Sequence, residues 1–141
     1  MDFLNKTRII LAFYDNMTRI NAGVDPSELT RQHLLAEHRE IKRIPNMVLN
    51  GRIGLDNIPD EFSLGRGHVK FFVDKLGYLL TRYSAIRDEC YKRGYRVEDY
   101  SGAWNGIPEV LMGQWIPTEE AIQLIRDRIA DRLGQAVANE I

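Results

Sequence analysis

Hydrophobic positions recur at helical spacing in three stretches of the chain, and no stretch shows the strict alternation of a strand. The first opens at Asp25-Pro26-Ser27-Glu28, with an acidic N-cap, a proline at the first helical position and a glutamate two residues on. It is predicted to run to about Ile41–Arg43 and to stop before Pro45, because the residue preceding a proline is pushed away from helical angles. The second and longest carries Val69, Phe72, Leu76, Leu79, Tyr83, Ile86 and Cys90 on one face and ends at Lys92-Arg93-Gly94, cations in the last turn before a glycine stop. The third starts at Thr118 behind Pro117, with Glu119 and Glu120 in its first turn. Its predicted buried stripe is Ile122, Ile125, Ile129 and Leu133, and Gly134 marks its predicted stop. A turn-rich stretch from Tyr100 to Trp115 separates the last two helices. The predicted fold is all-α: one compact domain of three main helices joined by long loops.

Composition narrows this picture only a little. At 141 residues the chain has the length of one domain that holds a core without metal or disulfide staples. Hydrophobic residues at 44% and charged residues at 28% exclude wholesale disorder. A single cysteine, Cys90, forms no internal disulfide and suits a reducing cytoplasm. No run reaches the ~20 apolar residues of a membrane span, and the apolar run Ile9 to Tyr14 behind Lys6 and Arg8 is short for an export signal. A cytoplasmic protein without a membrane partner is expected.

Charge adds more through its distribution than through its total of -1. Residues 17–52 hold six basic against four acidic groups, and residues 63–99 hold eight against five. Residues 100–141 reverse this, with three against six. A basic middle can present a phosphate-binding face, although solvated helix faces of mixed charge give the same counts.

The first helix has an unusual polar side. With 100° per residue, Gln32, His33, Arg39, Glu40 and Arg43 fall within an arc of about 120°, away from Leu34 and Ile41. One carboxylate, Glu40, thus stands among two arginines, a histidine and an amide; a surface salt-bridge stripe is the plain alternative. His33 and His38 are five apart and share no face, so no metal site is expected. No cofactor is expected either. There is no Ser-His-Asp set, and Gly65-Arg66-Gly67 is too short to signal a phosphate loop.

Longer segments carry a resemblance. Met17-Thr18-Arg19-Ile20-Asn21 and Gln32-His33-Leu34-Leu35-Ala36-Glu37-His38-Arg39-Glu40 resemble the opening of phage-type endonuclease V, the pyrimidine-dimer DNA glycosylase family. The likeness continues through Leu64-Gly65-Arg66-Gly67-His68-Val69-Lys70-Phe71-Phe72-Val73-Asp74-Lys75-Leu76, Glu89-Cys90-Tyr91-Lys92-Arg93-Gly94-Tyr95 and Trp115-Ile116-Pro117. It covers about residues 17–135 in one collinear pass. The resemblance implies a helical repair enzyme that cuts the glycosidic bond of a cyclobutane pyrimidine dimer and then nicks the abasic site. Its partner would be double-stranded DNA bearing UV photoproducts or abasic sites, bound by a monomer. The family nucleophile, an α-amine exposed by removal of the initiator methionine, matches Thr18, and the essential carboxylate matches Glu40. DNA-contacting positions match Arg19, Arg39 and Arg43, with Gln32, His33, His68, Arg128 and Arg132 as further matches.

These residue types suit that chemistry. An α-amine is roughly 10–20% neutral at pH 7, whereas a lysine is under 0.1% neutral. Attack on the sugar gives an imine, which acidifies the neighbouring proton and permits β-elimination. A carboxylate at Glu40 would stabilise the cationic sugar and shuttle protons. Two departures from the family pattern stand out. Thr18 is internal, so its nitrogen is an amide unless the working chain starts at Met17; residues 1–16 are read as an extension from a misassigned start, ahead of a 17–141 domain. No aromatic residue follows Trp115, where the family has an aromatic, basic tail; Trp104 and Trp115 themselves are read as core or loop anchors. A non-catalytic damaged-DNA-binding relative with a blocked amine is the alternative function, and a small helical interaction domain is a third.

Overall fold

In the computed structural model, the backbone is described for residues 18–140 and side chains as far as Gly134. The extension 1–16 and the proposed start at Met17 lie outside the described residues. The α-helices are α1 (Arg31–Glu40), α2 (Arg43–Leu49), α3 (His68–Phe71), α4 (Leu76–Lys92) and α5 (Glu119–Glu140), with 3-10 turns at Pro26–Glu28, Ser101–Trp104 and Glu109–Leu111. Among the described residues there is no strand, only an isolated antiparallel bridge between Lys75 and Met112. The all-α expectation holds, with the helical stretches cut differently.

Each cut has an identifiable cause. Asp25 does cap, its carboxylate accepting from the Ser27 backbone N–H at 2.9 Å and from Ser27 Oγ at 2.8 Å, but it caps only the short turn Pro26–Glu28. Leu29 is extended, and Thr30 acts as a second cap, Oγ1 accepting from the His33 N–H at 3.3 Å. Two capping residues five apart leave α1 to start at Arg31. Pro45 does not end the helical path either. It occupies the third position of α2, where a backbone N–H would have no partner within the helix.

The second stretch breaks at Lys75, whose angles (φ -122, ψ 37) leave the helical region. There the loop 112–114 runs against the start of α4: Tyr78 N–H donates to the Gly113 carbonyl at 3.0 Å. A Cβ on Gly77 would lie 2.5 Å from the Met112 carbonyl oxygen, and one on Gly113 would lie 2.4 Å from that of Asp74. Only glycines allow this approach. Gly134, by contrast, stops nothing, and α5 runs on to Glu140.

The core lies between α1 and α4. Leu34, Ile41 and Ile44 meet Leu76, Leu79, Tyr83, Ile86 and Cys90, all fully buried, and each such side chain contributes about 1.5–3 kcal/mol on burial. Phe62, Phe71, Phe72, Tyr78 and Trp115 form an aromatic cluster, with Phe62 stacked on Trp115 at 5.6 Å between centroids. Trp104 is buried and donates its Nε1–H to the Leu76 carbonyl at 3.0 Å, so both tryptophans anchor loops. Among the described side chains of α5, Ala121 and Ile125 are buried; Ile122 and Ile129 lean on the core, and Leu133 is exposed. The predicted four-residue stripe thus fades toward the end of the helix.

Candidate active site

The stretch from Thr18 to Val24 runs through the interior, with Thr18, Ile20, Asn21, Ala22 and Val24 all buried. Outside any sheet it needs other partners for its backbone. His68, the first residue of α3, supplies one: its Nε2 accepts from the Ile20 N–H at 3.0 Å. Nδ1 must then carry the proton, and it donates to the Ser63 carbonyl at 2.9 Å. Burial drives the His68 pKa down to about 3, so the ring stays neutral. His68 was expected among the DNA-contacting residues. It is instead wholly enclosed, with both nitrogens occupied in holding this segment.

The fixed segment delivers its start to Glu40, at the end of α1. The Glu40 carboxylate takes the backbone N–H of Arg19, the amide that joins Thr18 to Arg19. Arg39 Nη2 and Arg43 Nη1 stand 3.8 and 4.0 Å from Glu40 Oε1. Burial raises the Glu40 pKa, and the pull of Arg43, Arg39 and Arg19 offsets that only in part. Arg19 itself donates from Nη1 to the Thr18 carbonyl at 3.1 Å. Thr18 Oγ1 is buried with no hydrogen-bond partner among the described residues.

A second layer lies behind. Glu37, one turn before Glu40 and fully buried, pairs with Arg82 of α4 through Nε–Oε2 at 2.8 Å and Nη2–Oε1 at 3.0 Å. Arg82 Nη1 also donates to the Val24 carbonyl. Asn21 Nδ2 donates to Glu37 Oε1 at 2.8 Å, and its Oδ1 accepts from Arg128 Nη2 at 2.7 Å. Burial lowers the Arg128 pKa to about 10, and nearby Arg19 adds to the effect.

The helical wheel missed Asn21, Glu37 and Arg82. A signal was there: Glu37 falls toward the apolar side of α1, and Arg82 sits beside Leu79, Tyr83 and Ile86 in the buried stripe of α4. An acid and a base, each on an apolar face, are a pair waiting to meet.

The remaining candidates divide into those at the centre and those at its rim. Arg19, Arg39 and Arg43 gather around Glu40, although the chain bends between Glu40 and Arg43 and the two stand on different helices. His33 caps α1 with Thr30, its Nδ1 lying 2.8 Å from Thr30 Oγ1. Burial, and then Arg128 and Arg132, lower its pKa. Gln32, Arg39 and Arg132 are exposed. His38 faces the opposite way, Nε2 lying 3.1 Å from the Tyr83 hydroxyl. No three His, Cys, Asp or Glu side chains converge as metal ligands among the described residues, and no helix there is long and apolar enough to cross a membrane.

The arrangement is a carboxylate held in a nest of guanidinium groups against a pinned backbone. It can stabilise a developing cation while the arginines bind flanking phosphates. Residues 17–100 match a family described as pyrimidine dimer DNA glycosylase. The matched stretch holds Thr18, Glu40, Arg39, Arg43 and His68 and ends before α5. Since the match spans more than half of the sequence, the chain belongs to the pyrimidine dimer DNA glycosylase family.

Proposed function

We propose that residues 17–141 form a bifunctional DNA N-glycosylase and abasic-site lyase, acting as a monomer on duplex DNA that carries pyrimidine dimers or abasic sites. Thr18 supplies the nucleophile as a free α-amine, in a protein whose translation starts at Met17 and whose methionine is then removed. The amine attacks C1′ of the damaged nucleotide and the bond to its base breaks; the freed base takes up a proton and, in a dimer, stays joined to its neighbour through the cyclobutane ring. The resulting imine acidifies the C2′ proton, whose removal expels the 3′ phosphate by β-elimination. Glu40, ionised, stabilises the cationic sugar and takes and returns protons. Arg19, Arg39, Arg43, Arg128 and Arg132 hold phosphates, with Gln32 and His33 at the rim of the lesion pocket, while His68 positions the Thr18 segment.

One observation carries this reading. Among the described residues, the carboxylate that meets both Arg39 and Arg43, Glu40, takes the N–H of the very peptide group that follows Thr18. A fresh amine at residue 18 would therefore start beside its acid–base partner. A second reading is favoured by the sequence as written, in which Thr18 nitrogen is an amide: such a chain recognises damage but performs no chemistry.

Borohydride trapping on abasic-site DNA separates the two. A protein starting at Thr18 is expected to form a covalent adduct, and the full chain none. An adduct from the full chain as strong as that from the Thr18-start protein would remove the residue 18 amine as the nucleophile, because in the full chain that nitrogen is an amide, and no adduct from either would leave the binding-only reading.

A further inference from the structure

Behind Glu40 lies a buried row of polar side chains. Arg82, Glu37, Asn21 and Arg128 stand in line, cation, anion, neutral amide, cation, and join α4, α1, the Thr18 segment and α5. The amide is the odd member. Side-chain amides are commonly reversible end for end, but this one is not. The Glu37 carboxylate, which accepts from Arg82 through both oxygens, also accepts from Asn21 and so demands its NH2 group. Arg128 only donates, so it demands the oxygen. Reversal would set two acceptors against each other at one end and two donors at the other.

We infer that Asn21 is a positioning residue: it fixes the guanidinium of Arg128 in register with the Thr18 segment and passes on to it part of the field of Glu37. This rests on the reading in which Arg128 meets the DNA backbone. Three features make the assignment necessary. Glu37 Oε2 accepts from Arg82 Nε, and Oε1 accepts from both Arg82 Nη2 and Asn21 Nδ2, so Asn21 stands between Glu37 and the second arginine. Arg128 is repelled by Arg19 and Arg132 and attracted by Glu37 and Glu40, and Asn21 Oδ1 is its hydrogen-bond acceptor. Its Nη1 is buried with no partner among the described residues, which leaves one donor unspent once Asn21 has set the plane of the group. No other residue type replaces Asn21 well. Aspartate at that position would face the Glu37 carboxylate, glutamine adds a methylene at a buried position, and leucine keeps the volume but offers neither hydrogen bond.

The test is a double-mutant cycle read on binding, using the full chain and duplex DNA with a tetrahydrofuran abasic analogue. Asn21→Leu is expected to weaken binding about tenfold when Arg128 is present, the loss of one charge-assisted hydrogen bond. In an Arg128→Ala background the same change should alter binding by less than about twofold. Each single variant should also flatten the salt dependence by about one phosphate contact. Equal losses in both backgrounds, tracking a fall in melting temperature, would make Asn21 a plain structural residue and overturn the assignment.

Should Asn21→Leu fail to fold, Asn21→Ser, which is smaller and leaves room for water, takes its place in the cycle. The unaltered protein gives a further measurement: nitrogen-15 spectra should show separate, slowly rotating Nη groups for Arg128, and a single averaged signal would overturn the assignment. If the unaltered protein binds no DNA, Arg128 has no strand to meet and the assignment falls. The proposed chemistry fails separately, by absence of a borohydride adduct, and that failure leaves the binding cycle readable.

Discussion

Two glutamates three residues apart on one helix have opposite fates. Glu37 is wholly buried and holds Arg82 in a two-pronged pair at 2.8 and 3.0 Å. Glu40 keeps 14% of its side chain exposed and meets its arginines only at 3.8 and 4.0 Å. The first pair is closed: its hydrogen bonds are all used inside the fold, and its work is to tie α1 to α4. The second is open, a carboxylate that neutralises its surroundings without being consumed by them. Tight pairing builds a scaffold; loose pairing leaves a group free to react.

The sharpest way to break this contrast is Glu40→Gln. Excision in single-turnover assays should fall by roughly 10²–10⁴-fold, with DNA affinity little changed. Because burial raises the Glu40 pKa, activity of the unaltered enzyme should be lost on acidification at a higher pH than an ordinary carboxylate would give. The same sign makes the ionised Glu40 a net cost to folding at neutral pH, so Glu40→Gln should leave the melting temperature unchanged or slightly higher. A clear loss of stability would put Glu40 in the same class as Glu37.

Glu37→Gln should do the reverse. It leaves Arg82 charged, buried and half-paired, at a cost of about 3–5 kcal/mol, measured by denaturant unfolding. Excision by the folded fraction should fall far less than in Glu40→Gln.

His68→Phe comes next, with about 1–3 kcal/mol lost as the buried Ile20 N–H goes unsatisfied. It also carries a pH signature. In the unfolded chain this histidine takes a proton near 6.5, while in the fold it refuses one until about 3. Its contribution to stability is therefore complete above pH 6.5 and declines as the pH falls toward 3. The variant should show a shallower acid slope in melting temperature. An unchanged slope would mean that His68 does not hold the segment as a neutral acceptor.

The smallest effect belongs to Arg43→Ala. Removing one guanidinium from the cluster should weaken DNA binding severalfold and reduce the salt slope by about one. No change in that slope would assign Arg43 to Glu40 alone.

Much of the candidate site was legible before any coordinates. Periodicity along α1 sets Arg39 and Glu40 on its polar side, whereas Arg43 reaches Glu40 from the first residue of α2. Element boundaries were less legible. Thr30 is as good a cap as Asp25, and nothing local ranks the two. The break at Lys75 depends on a loop almost forty residues away that needs Gly77 and Gly113 to come close.

His68 shows the limit most plainly. Its match within a family motif reads equally well as a DNA contact or as an internal brace, and burial alone decides between them. The amino-acid order by itself determined an all-helical chain, its apolar faces and the polar side on which Glu40 stands, since these follow from spacing within one or two turns. Only the tertiary structure decided which charges close on one another. Glu37 meets Arg82 across 45 residues and Asn21 meets Arg128 across 107, and contacts of that range are set by how helices pack, which no local periodicity encodes.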